Sequence, residues 1–121
     1  MSDALQRLID AVEDGEFDPP RINDRPRFNA FCDAWEAAFG GRDIEMAAAW
    51  RAYSHFSLDA AMALLNVLLG ADVHWSLAED ADCGFCAKVY LGQWFHEHDK
   101  IASRAFLLAI LRAYQAQEAS Q

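Results

Sequence analysis

Apolar residues recur at helical spacing through the first half of the chain and then switch to alternation. In "DALQRLIDAVEDG", Leu5, Leu8, Ile9 and Val12 fall at i, i+3, i+4 and i+7, and Gly15 is placed to stop the helix. "RPRFNAFCDAWEAAFGG" predicts a second helix. Pro26 sits in its first turn, Phe28, Phe31, Cys32, Trp35 and Phe39 form one stripe, and Gly40 is placed for a left-handed cap. "RDIEMAAAWRAY" predicts a short third helix with Asp43 as its N-cap. "SLDAAMALLNVLLG" predicts a fourth, capped by Ser57, with Asp59 at the positive end of its dipole and Gly70 at its end. Between these segments, "EFDPPRINDRP" reads as a loop or extended crossing, because two adjacent prolines remove donors and αR freedom.

The period then becomes two. In "VHWSLAE", Val73, Trp75 and Leu77 share one face and His74 and Ser76 the other. In "FCAKVYL", Phe85, Ala87, Val89 and Leu91 oppose Cys86, Lys88 and Tyr90, and "EDADCG" between the two runs has hairpin turn chemistry. "QWFHEHD" reads as a third short strand, followed by a helix from about Ile101 to Gln115. The fourth and last helices are apolar almost all round, so each needs either an interior position or a dimer interface, the latter through Leu64, Leu68, Leu107 and Leu111. The expected fold class is α+β in one domain over 1–121: helices over 1–55, then a helix, a small antiparallel meander of two or three strands and a long C-terminal helix over 56–117.

Composition narrows the function classes. The chain has 121 residues, is 54% hydrophobic and carries a net charge of −9, so it buries a real core and repels phosphate backbones and anionic lipid. Direct nucleic-acid binding and membrane insertion are therefore not expected. The favoured partner is a basic protein surface, met by the acidic cluster Asp10, Glu13, Asp14, Glu16 and Asp18. No basic-then-apolar leader is visible and the three cysteines are an odd number, which points to a reducing, cytoplasmic setting.

The one motif that raises metal chemistry is "DCGFCAKVYLGQWFHEH". Strand parity sends Cys83 and Cys86 to opposite faces, which argues against a four-ligand zinc site. His96 and His98 share parity and would project from one face, so they are weak metal candidates in need of a third ligand. No phosphate-cradling glycine loop or nucleophile elbow is present, and neither catalytic residues nor a cofactor are expected. Cys32 reads as a buried small hydrophobe, His55 as a capping or packing residue, and Trp75 and Trp94 as core or edge aromatics.

Ser57–Ala61, Gly70, Trp75, Ala87–Val89 and Ala105–Ala113 together resemble the phage ABA sandwich domain family, over a little more than half the chain. The helical N-terminal half lies outside the resemblance. The family has no established activity, so the resemblance implies a setting: a phage or prophage accessory protein in the host cytoplasm. With the charge, it leads to the expectation of an interaction protein that inhibits a host nucleic-acid-binding defence complex. The alternatives are a homo-oligomeric assembly protein and a metal-dependent small-molecule binder. The α-β-β-β-α order is also that of double-stranded-RNA-binding domains, but the basic residues those need are missing.

Overall fold

The computed structural model describes residues 3–17, 25–82 and 84–119. In chain order they form α1 (Asp3–Asp14), α2 (Arg25–Phe39), α3 (Asp43–Ser54), α4 (Leu58–Leu69), β1 (His74–Asp80), β2 (Gly84–Tyr90), β3 (Trp94–Asp99) and α5 (Ala102–Ala119). The fold is α+β, as the change of period requires.

α5 is the axis of the molecule. Every residue from Ser103 to Leu111 is buried, because β2 and β3 cover one side and α1, α3 and α4 cover the others. This settles the choice posed by the apolar helices. Leu64, Leu68, Leu107 and Leu111 are at most 7% exposed and belong to the protomer's own core, so these four leucines offer no dimer interface. α4 is covered on one side only, with Ala60, Ala61, Leu64, Leu65 and Leu68 inward and Val67 left 57% exposed.

The sheet is an antiparallel meander in the order β1-β2-β3. Its register pairs Trp75 with Val89 and Val89 with Phe95, and Leu77 with Ala87 and Ala87 with Glu97. These residues face α5, where Ala87 and Val89 are fully buried. The opposite parity carries His74, Ser76, Lys88, Cys86, Tyr90, Trp94, His96 and His98 on the outer face. The Asp80 carboxylate accepts from the Asp82 N–H at 2.9 Å, the Asx turn that reverses the chain between β1 and β2.

Several caps follow the local sequence. Ser57 accepts from the Ala60 N–H at 3.1 Å, Gly70 closes α4 through Asn66, and Gly40, at φ 70°, donates to Glu36 at 2.7 Å. Asp43 is not the cap of α3. That position belongs to Arg42, held at φ 61° with no side-chain cap bond, while Asp43 lies in the first turn, where its charge suits the dipole. The stripe on α2 is also shallower than its spacing implies. Only Phe31 and Trp35 are fully buried, because α2 packs on α1 and α3 at the periphery. Cys32 is accordingly half-buried, with its Sγ 3.4 Å from Met46 Sδ.

One ion-pair network ties the layers together. Arg112 of α5 donates from Nε to Glu97 of β3 and from Nη2 to Glu13 of α1 at 2.6 Å. Hydrogen bonding to Glu97 raises the guanidinium pKa above its ordinary value, burial opposes this, and Glu13 adds to it. The Glu97 side chain is 17% exposed and the Glu13 side chain 50%. Glu97→Gln is therefore expected to cost about 1–2 kcal/mol and Glu13→Gln less than about 0.5 kcal/mol, read as urea-unfolding free energies.

Candidate functional site

The outer sheet face gathers a group of polar and aromatic side chains. The three strands project alternate side chains outward, and no described element covers them there. The cross-strand pairs are His74 with Tyr90, Ser76 with Lys88, Tyr90 with Trp94, Lys88 with His96, and Cys86 with His98. Tyr90 is 40% and Trp94 54% exposed, and their rings meet edge to face with centroids 5.2 Å apart. Beside them, Ser76, Lys88, Trp94 and His96 line a shallow cleft of about 540 Å³. His96 and His98 project together as their parity requires, with ring centroids 5.9 Å apart. Among the described residues, no three His, Cys, Asp or Glu side chains converge as a bound metal would require. Cys86 is a free thiol on this face, and Cys83 lies outside the described residues.

The acidic cluster forms a second surface at the C-terminal end of α1. Asp10, Asp14 and Glu16 are exposed, Gln6 donates to Asp10 at 2.9 Å, and Glu13 is engaged by Arg112. Asp18 lies outside the described residues. The last turn of α1 holds no basic residue, so these carboxylates crowd the negative end of the helix dipole, an arrangement that costs local stability.

No family model, curated protein or solved structure matches this chain. Among the described residues no helix is long and apolar enough to cross a membrane.

The remaining singled-out residues are structural. His55 is the C-cap of α3: its backbone N–H donates to Arg51, and its ring lies 2.8 Å from the Ser54 hydroxyl. Burial raises the Cys32 thiol pKa, with the charges of Asp33 and Asp43 acting in the same direction, so at neutral pH it stays protonated and poorly nucleophilic. Trp75 does face the core side. It leans on Phe106 with centroids 5.4 Å apart, yet it stays 45% exposed because α5 lies under β2 and β3 and not under the β1 edge. Trp94 opens the edge strand β3, in keeping with an edge aromatic, and its side chain stands on the outer face. The usable signal was parity: it shares its phase with His96 and His98.

Proposed function

We propose that this chain is a non-catalytic binding protein that acts by protein–protein contact, anchored on the outer sheet face and steered by its acidic charge. The observation that carries the reading is the exposed Tyr90–Trp94 pair beside the cleft of Ser76, Lys88 and His96. Tyrosine and tryptophan are the residues that most often carry binding energy at interfaces, and a half-exposed pair on an open sheet is costly to leave in water. The charge of −9 supports a partner with a basic surface, since it speeds encounter with such a surface and repels free nucleic acid. The carboxylates at the negative end of α1 support the same reading, because they add to the negative field on that side of the molecule.

The resemblance to the phage ABA sandwich domain family supports a phage accessory setting. There, the basic nucleic-acid channel of a host defence complex would be a partner of the required charge. The test is capture of partners from host lysate by the full chain. Capture is expected to weaken steeply as salt rises. Tyr90→Ala combined with Trp94→Ala should reduce it by roughly thirtyfold, while Val67→Ala, on exposed apolar surface of α4, should leave it unchanged. A salt-insensitive complex, or one indifferent to the double substitution, contradicts the reading.

A further inference from the structure

Strand β1 is open on both faces and along one edge. His74, Trp75, Ser76, Ala78 and Glu79 are exposed, and only Leu77 and Asp80 are half-buried. α5 runs under β2 and β3, so Trp75 stays 45% exposed although it points to the core side. Among the described residues, β1 hydrogen-bonds along its backbone to β2 alone. Alternate N–H and C=O groups of this edge therefore point away from the sheet, a template for one more strand. The strand has no proline, lysine or bulge to blunt that edge, and Glu79 is its one inward-facing charge.

We propose that this edge takes the β1 of a second copy of the chain, antiparallel, about a two-fold axis at Leu77. The strand is complementary to itself in that register. His74 of one copy stands opposite Asp80 of the other, Trp75 opposite Glu79, Ser76 opposite Ala78, and Leu77 opposite its own counterpart. An imidazole meets a carboxylate on the outer face, an indole N–H meets a carboxylate on the inner face, and no two like charges are opposed. Faces match only when the register moves by two residues. Such a slip shortens the ladder and sets His74 against Ala78, or Asp80 against Ser76, so the charge pairing is lost in either direction.

The other edge, β3, lacks this complementarity. Its two-fold registers set Glu97 on Glu97 or His96 on His96, and Glu97 is already held by Arg112. Pairing through β1 joins two three-stranded sheets into one, with the axis perpendicular to the sheet. Both Tyr90–Trp94 pairs then stand on the same side, but the inference does not depend on what they bind.

The test follows the full-length, tag-free chain by sedimentation velocity from about 1 μM to about 200 μM, and by hydrogen–deuterium exchange at both ends of that range. The expected result is a dimer that dissociates on dilution, with amide protection gained at high concentration over 74–80 and not over β3 or α4. Ala78 is exposed on the outer face, one residue from the axis, so Ala78→Lys brings two like charges together across it. That variant should weaken the dimer by more than about thirtyfold, as edge lysines do to strand pairing. Val67→Lys, which adds the same charge on exposed α4, should leave the dimer unchanged, with circular dichroism confirming that both variants are folded. A chain that stays monomeric at the top of the range overturns the proposal. So does a dimer indifferent to Ala78→Lys, or one whose protection falls on another element.

Discussion

Arg104→Ala should destabilise the protein by about 3 kcal/mol and lower its melting temperature by roughly 10 °C. Arg104 is only 5% exposed, and the reason lies at the end of α3. A helix leaves its last carbonyls without partners, and a buried helix end needs donors from elsewhere. Two consecutive residues of α5 supply them. Ser103 donates from its hydroxyl to the Ala52 carbonyl at 2.6 Å, and Arg104 donates from Nε to the Tyr53 carbonyl at 3.0 Å. The guanidinium carbon also lies over the Tyr53 ring, 3.8 Å from its centre, and 5.7 Å from that of Phe56.

Removing the side chain deletes a charge-assisted hydrogen bond, the contact with the Tyr53 ring and the packing of its stem. Relief of the guanidinium's own desolvation offsets part of this. Arg104→Lys should recover less than half of the loss, because an ammonium neither stacks flat on the ring nor reproduces the fork. Thermal unfolding followed by circular dichroism measures both variants. A cost below about 1 kcal/mol for the alanine variant would mean that α5 does not hold the end of α3.

Gly84→Ala is expected to cost a similar amount, about 3 kcal/mol, for a different reason. Gly84 opens β2 at φ 91°, and a Cβ there would lie 2.7 Å from both the Asp99 carbonyl oxygen and the Lys100 Cα. Both obstacles are backbone, at the corner where β3 turns into α5 under the hydrogen bond from the Ile101 N–H to the Asp99 carboxylate. The chain cannot yield there without shifting the β2–β3 register that aligns Cys86 with His98. Gly92→Ala separates strain from clash. At φ 77° it has the same backbone penalty, but nothing lies within 4 Å of the added carbon, so it should cost only about 1–2 kcal/mol. Equal effects from the two substitutions would mean that the close approach at Gly84 has no weight.

What sequence reading reached and what it missed divide along a physical line. Features determined within one element were legible. These include the helical periods, the Ser57, Gly40 and Gly70 caps, and the strand parity that places His96 and His98 together. Features that depend on a distant element were not. Arg104 reads locally as a polar break in an apolar helix, because the carbonyl it serves is 51 residues away. The four core leucines admit a dimer reading from sequence alone, because what buries them lies elsewhere in the chain: the sheet and three helices around Leu107 and Leu111 of α5, and α3 and α5 against Leu64 and Leu68 of α4. Asp43 lost the capping position to Arg42 because the Gly40–Gly41 turn sets where α3 begins, a matter of backbone path and not of side-chain preference. On the candidate site, alternation sent Lys88 and Tyr90 outward. Trp94 reads from sequence as a core or edge aromatic, and its parity with His96 and His98 puts it on the outer face of the edge strand β3.

Hydroxyl-radical footprinting of the free chain and of its captured complex tests the assignment of the outer sheet face most directly, because it reads side chains on opposite faces of one sheet at the same time. Trp94 and Tyr90 should lose reactivity in the complex, while Trp75, exposed at the β1 edge on the other face, and Ile44, exposed on α3, keep theirs. Protection of Trp75 or Ile44 with Trp94 and Tyr90 unchanged would place the interface elsewhere and contradict the account.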